Sequence, residues 1–287
     1  KNCTFTSTVS DANVGDSFYC VRSNSTPITV KGCNISIDSE LTDVAAGQAK
    51  WGIFWNRGTT NWTVENVAVT MTDAALEQTE LEVTKCTSTG KINTTNLTVN
   101  GKAYASTSEQ LKSAIANGAT TVSLKDGNYT FPDLVNIQDK ELTLVGSEDA
   151  VIDVSNIDAR NQFVTGATLK FEGVTLNFGK VNYMGFANTA SLTYKDCNIN
   201  GLQFLFGENV VFEGCSLNSN GAEHTVWTYG VKKVSFTGCD FTYGDRGVNC
   251  YSDNDVPGGQ TVNFTNCTFA TENTASAGAV DINRYYS

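Results

Sequence analysis

The stretch "VVFEGCSL" at residues 210–217 decides the fold, because it returns as "VSFTGCDF" at 234–241 and "VNFTNCTF" at 262–269. Apolar and polar residues alternate in each copy, which is the pattern of a β-strand that buries one face. Each copy then bends at Gly or Asn before a Cys that starts a second short alternation. One phrase that recurs with one Cys position predicts strands stacked at matching levels.

The series continues towards the N-terminus through "YKDCNI" at 194–199 and "FEGVTL" at 171–176, where Val174 takes the place of the Cys. The copies stand roughly 20 to 30 residues apart, about one turn of a solenoid whose loops vary in length. We therefore predict an all-β chain folded as a right-handed parallel β-helix. A β-sandwich is the alternative, but it gives no reason for one phrase to recur at one level.

One segment, "STSEQLKSAIANG" at 106–118, interrupts the strand patterns with a helical one. Leu111, Ala114 and Ile115 share one helical face, and Gly118 is a typical residue for ending a helix. We predict an amphipathic helix that caps a β-helix starting near residue 102. This divides the chain into a first block, residues 1–100, and a second block, residues 101–287.

The first block resembles the end of the second. "KNCTF" at 1–5 and "KGCNI" at 31–35 match "TGCDF" at 237–241 and "TNCTF" at 265–269. We expect the first block to be the terminal coils of one β-helix unit and the second block another unit, in a tandem array with a period of about 230 residues. The ladder edges exposed at coil ends favour head-to-tail association of β-helix ends.

Composition excludes some partners and favours one compartment. The chain has 30 acidic and 19 basic residues, a net charge of −11, so a nucleic acid is not an expected partner. The apolar stretches are strand-sized, far short of the ~20 residues that span a bilayer. The abundance of Thr, Asn, Ser and Gly, with 17% charged residues, is typical of extracellular or cell-surface β-repeat proteins.

The cysteines and some acidic residues are candidate metal ligands. Nine Cys is an odd number, and we expect the recurring ones to be small buried side chains. Zinc is not expected, because there is no CxxC motif and His224 is the only His. We predict no cofactor, with calcium as the alternative to ordinary turn chemistry around "YSDNDVPGG". The residues that would supply calcium ligands are Asp240, Asp245, Asp253 and Asp255.

Two longer segments carry a family resemblance. "EQLKSAIANGATTVSLKDGNYTFPDLVNIQDKELTLVGSEDAVID" at 109–153 resembles the opening of pectin-lyase-like β-helices. "YKDCNINGLQFLFGENVVFEGCSL" at 194–217 is similar to the pectinesterase segment that runs through its "DFIFG" motif. The resemblance implies a right-handed parallel β-helix. For pectinesterases it also implies an Asp nucleophile, a second Asp as acid and base, Gln side chains in an oxyanion hole and an orienting Arg.

Both catalytic carboxylates of that family are missing here. The nucleophile position falls on Gln203, whose amide cannot attack an ester, and the second Asp falls near Asn182 or Tyr183. Only Arg246 matches the family's Arg. We therefore predict a site without catalysis, in which Tyr183, Gln203, Tyr229 and Arg246 line a groove and hydrogen-bond a sugar.

Two further groups of residues each allow two interpretations. "WGIFWNRGTTNW" at 51–62 brings together Trp51, Trp55 and Trp62, which predict either a stacking platform for sugar rings or interior packing. Glu223 and His224 are either an acid/base pair or ordinary loop residues.

We predict a non-catalytic surface module that binds carbohydrate or another cell-surface partner. One alternative is a polysaccharide-active enzyme of the same fold, and another is a purely structural stalk. The carboxylates that the enzyme would draw on are Glu172, Glu213, Asp240 and Asp245.

Overall fold

The computed structural model describes residues 3–9, 17–39, 50–71, 81–131, 136–158, 162–186, 188–252, 259–271, 273, 275–276 and 278–284. Strands account for 60% of the structure and helix for 4%, which confirms a predominantly β chain. It divides into two compact units, Lys1–Ser106 and Thr107–Ser287. The interpretation of the two blocks as copies in a tandem array stays a prediction.

The first unit contains two sheets, in which all strand pairs but one are parallel within the described residues. One sheet has the order β1 (Thr4–Val9), β5 (Asn34–Ser39), β7 (Trp62–Met71) and β9 (Ile92–Val99), with β4 (Thr29–Lys31) beside β7 and β10 (Lys102–Ala105) antiparallel to β9. In the other, β2 (Ser17–Phe18), β3 (Val21–Ser23) and β8 (Leu81–Cys86) all pair with β6 (Lys50–Asn56).

The second unit also contains two sheets. Successive strands of the chain alternate between them as far as the strand Arg246–Ser252, which is followed by another strand of its own sheet, and most strands pair with the next but one. The first sheet has the order β11 (Thr121–Leu124), β13 (Glu141–Val145), β15 (Thr168–Glu172), β17 (Ser191–Lys195), β19 (Gln203–Glu213), β21 (His224–Thr237), β23 (Arg246–Ser252) and β26 (Gly278–Arg284), with β24 (Thr261–Thr265) also on β21. The second has the order β12 (Gly127–Thr130), β14 (Ala150–Asp153), β16 (Thr175–Gly179), β18 (Asn198–Gly201), β20 (Ser216–Asn218), β22 (Asp240–Tyr243) and β25 (Thr268–Thr271).

The expected helix is present as α1 (Ser108–Ala116), which packs against β11 and β12. Thr107 caps its N-terminus by accepting a hydrogen bond from the backbone of Gln110, and Leu111 and Ile115 are buried. Gly118, with a φ of +85°, turns the chain away at the other end. No helix in the described part of the chain is long and apolar enough to cross a membrane.

The core of the second unit is built from levels of matching side chains, as the recurring phrase predicts. Five aromatic rings on neighbouring strands stack with centroids 4.7 to 5.5 Å apart: Phe171, Tyr194, Phe212, Phe236 and Phe264. Four cysteines form another level, in which the residues after Cys215, Cys239 and Cys267 donate their backbone N–H to the carbonyl of the Cys one repeat earlier, and the residue after Cys197 donates to Val174. Stacking of like side chains therefore fixes the register of the sheets.

Candidate functional site

Gln203 does not line a groove, so the prediction that it binds a sugar is wrong. Its side chain is 0% exposed, and its amide Nε2 donates to the hydroxyl of Tyr194 inside the core. The backbone register explains the burial, because Gln203 pairs with Val226, another fully buried residue. Its amide oxygen has no hydrogen-bond partner in the described part of the chain.

The three tryptophans of the first unit do not form one platform. Trp62 is 1% exposed and belongs to the core, so its assignment as a ligand-binding residue is wrong. Trp55 is 8% exposed and meets the ring of Tyr19 edge to face at 6.4 Å. The side chain of Trp51 lies outside the described residues. Interior packing, the alternative that β-strand alternation favours, accounts for Trp62.

The second unit instead presents a cluster of aromatic rings on the outer side of β19, β21 and β23. We call it the aromatic patch, and its members are Tyr183, Phe204, Phe206, Trp227, Tyr229 and Tyr251. The rings of Tyr229 and Tyr251 stack 5.2 Å apart at an interplanar angle of 5°. All members except Phe204 are partly exposed.

Strand alternation explains how the patch arises. Val226 and Thr228 point into the core, so Trp227 and Tyr229 between them point outward. Phe204 is the register partner of Trp227 on the neighbouring strand. Sequence reasoning found Tyr183 and Tyr229 but missed Phe204, Phe206, Trp227 and Tyr251 as members of one surface. The alternation in "HTVWTYG" was the signal that could have found Trp227.

Tyr183 reaches the patch from a strained loop. Its backbone has a φ of +70°, a region that bulky residues rarely adopt and that costs about 1–3 kcal/mol. Its ring lies 4.9 Å from that of Phe204 and 5.8 Å from that of Tyr229. Such strain persists where surrounding contacts impose it, and it is common at binding sites.

A charged cluster adjoins the patch at the start of β21 and β23. The Arg246 guanidinium Nη1 lies 2.9 Å from both Glu223 Oε1 and Asp245 Oδ2, and its Nε lies 2.7 Å from Asp281 Oδ2. The ring of His224 is 1% exposed and 5.4 Å from that of Trp227. Burial lowers the pKa of His224, so the imidazole is neutral at neutral pH.

The charged cluster is an ion-pair network. Glu223, His224 and Asp245 each place one ligand atom within 4.8 Å of the others, which is compact enough for a metal ion. However, Arg246 already occupies the position of the cation between the two carboxylates. An arginine that is ion-paired in this way can act neither as a general acid nor as a general base.

Three other candidate carboxylates, those of Glu172, Asp240 and Glu213, lie among the described residues. Glu172 lies between Lys170, at 2.8 Å, and Lys195, at 3.0 Å, and hydrogen bonds from these two ammonium groups lower its pKa. Asp240 accepts a hydrogen bond from Thr268, and Glu213 is exposed. The calcium ligands Asp253 and Asp255 lie outside the described residues.

Between the patch and the charged cluster runs a row of three polar side chains, two of which carry a buried atom without a hydrogen-bond partner in the described part of the chain. Trp227, Asn249 and Asp281 are register partners on three adjacent strands. In the described part of the chain, the indole Nε1 of Trp227 and the side-chain Oδ1 of Asn249 make no hydrogen bond. One atom is a donor and the other an acceptor, and both are buried beneath the surface of the patch.

No protein-family model matches the chain, and no curated protein or solved structure matches it either. The resemblance to pectin-lyase-like proteins therefore has no support beyond the long parallel sheets. The function of the chain has to be argued from the chemistry of the aromatic patch and its polar row.

Proposed function

We propose that the chain folds as a right-handed parallel β-helix and that its second unit is a non-catalytic carbohydrate-binding module of an extracellular protein. The fold proposal is supported by strands that alternate between two sheets and pair in parallel with the next strand but one, as successive coils of a solenoid do. The composition of the chain supports the extracellular location.

The aromatic patch is the observation that carries the binding proposal. Partly exposed rings offer flat apolar faces for the C–H face of a sugar ring, and ring contacts supply affinity with little loss of side-chain entropy. Asp281, whose side chain is 31% exposed while it pairs with Arg246, adds a carboxylate acceptor beside those rings. This combination of apolar faces and a few polar groups is typical of small-ligand sites.

The absence of catalysis is proposed on two grounds. Gln203, at the nucleophile position of the resembled family, points into the core, and Arg246 is bound to three carboxylates. An esterase of that type needs an accessible carboxylate beside a proton donor. The structural-stalk alternative differs because it requires no ligand for the patch.

A glycan-array experiment with wild type and Trp227→Ala tests the proposal. We expect the wild type to bind a neutral glycan and Trp227→Ala to bind it about tenfold more weakly, since one ring contact contributes up to about 1.5 kcal/mol. Val181→Ala is the control, because Val181 is 63% exposed and outside the patch. Parallel assays for reducing sugar and methanol should stay at background.

Two outcomes of the same assays would contradict the proposed function. Turnover of any glycan would overturn the non-catalytic assignment. Wild-type protein that binds no glycan on the array would leave the stalk as the better interpretation.

A further inference from the structure

A second cluster of aromatic and charged residues lies in the first unit, around Trp55. Arg22, Trp55 and Lys85 are register partners on β3, β6 and β8, so their side chains leave the sheet on one face. Arg57 follows Trp55 by two residues and returns to that face. Strand pairing thus brings together three cations that are widely separated in the sequence.

The cations lie over aromatic rings. The guanidinium carbon of Arg22 is 5.3 Å from the ring centroid of Trp55 and 5.1 Å from that of Tyr19. The corresponding distance from Arg57 to Trp55 is 5.4 Å, and that from Lys85 Nζ is 5.5 Å. The indole Nε1 donates to Thr87 Oγ1 at 3.2 Å, which fixes the ring as their support.

Among the described residues, no carboxylate neutralises the two arginines. In the described part of the chain neither Arg22 nor Arg57 has a carboxylate oxygen within 4.0 Å, whereas Arg246 has three carboxylates around it. This is unusual in a chain with a net charge of −11. A guanidinium that stacks on a ring keeps the N–H donors along its edge available, in the fork geometry that matches a carboxylate or sulfate.

We propose that Arg22 and Arg57 form a binding site for the carboxylate or sulfate group of an acidic sugar residue. Tyr19, whose side chain is 45% exposed, lies beside Arg22 and supplies a face for the sugar ring. Trp55 holds both guanidinium groups in place from below. The site shares no residue with the aromatic patch. It can therefore be tested separately from the function proposed for the second unit.

Calorimetry on the full chain tests the site with three probes: a hexuronate oligosaccharide, its methyl ester and a sulfated neutral oligosaccharide of equal length. We expect the acid or the sulfate to bind and the methyl ester to bind at least about tenfold more weakly, because it lacks the anion. The stronger of the two anionic probes identifies the group. Arg22→Gln and Arg57→Gln should each weaken binding about tenfold, and Arg22→Lys less so.

Two controls separate recognition from general charge and from misfolding. Lys233→Gln removes one exposed positive charge from the second unit and should leave binding unchanged. Near-ultraviolet circular dichroism of the arginine variants should match that of the wild type. Binding of the methyl ester as tight as that of the stronger anionic probe, equal weakening by Lys233→Gln, or full binding by the folded Arg22→Gln and Arg57→Gln variants would each overturn the proposal.

Discussion

At the scale of single residues, burial rather than residue type decides what Gln203 can do. Its position in the "QFLFG" phrase suggests a lost nucleophile, but its side chain is in contact with the buried Tyr194. We expect that Gln203→Asp restores no esterase activity and lowers the free energy of unfolding by at least about 3 kcal/mol, because a carboxylate there has no cation to pair with. Denaturant unfolding and a methanol-release assay measure the two outcomes.

The pH dependence of Gln203→Asp gives a second check. Burial raises the pKa of a carboxyl group in the folded state above its unfolded value near ~3.9, so the unfolded state gives up its proton first as the pH rises. The Gln203→Asp substitution therefore lowers stability least below pH ~3.9 and progressively more as the pH rises above it. Gln203→Met, of similar volume, should cost only about 1–2 kcal/mol at any pH. Methanol release by a stable Gln203→Asp protein would contradict this account.

At the scale of elements, the level of stacked cysteines uses Cys as a packed side chain and not as half of a disulfide. Cys197, Cys215 and Cys239 are buried thiols that form no disulfide. Hydrogen bonding with Cys197, together with burial, raises the pKa of Cys215 to about 12. We expect these three thiols to resist alkylation in the native protein at neutral pH, because all three are shielded by burial and the pKa of both Cys215 and Cys239 is raised.

Peptide mass spectrometry after timed alkylation measures this resistance. The exposed Cys3 is the internal reference, and in denaturant all four thiols should react at similar rates. Alkylation of native Cys215 at the rate of Cys3 would show that the stacked level is not packed as described.

Sequence predicted the strands, the helix and the Cys level because each depends on a local period or a local cap. It could not predict the orientation of Gln203, because Gly207 has a φ of +122° and the pairing of β19 shifts between Phe204 and Phe206. Such irregularities break the period of two on which inward and outward assignments rest. The sequence could not predict the charged cluster either, because Arg246 and Asp281 meet only through the pairing of β23 with β26.

At the scale of the whole molecule, the net charge of the chain is negative, whereas the charge of the cluster around Trp55 is positive. The basic residues are scattered in the sequence, yet pairing of β3, β6 and β8 gathers Arg22, Arg57 and Lys85 around Trp55. A short acidic sugar fits within about one Debye length of that cluster, ~8 Å at physiological salt. A long polyanion extends beyond it and meets the field of a chain whose net charge is −11.

We therefore expect double-stranded DNA not to bind, even at low salt. A basic surface binds DNA more tightly as salt is lowered, because the release of condensed counterions is more favourable into a more dilute salt solution. For this chain, lower salt strengthens the repulsion between DNA and the net negative charge. The increase in DNA binding at lower salt should therefore be absent or reversed. Fluorescence anisotropy of a labelled duplex across a salt series measures it, with the acidic oligosaccharide in the same buffers as the positive control. Anisotropy that rises as salt is lowered would show that the basic cluster outweighs the charge of the rest of the chain.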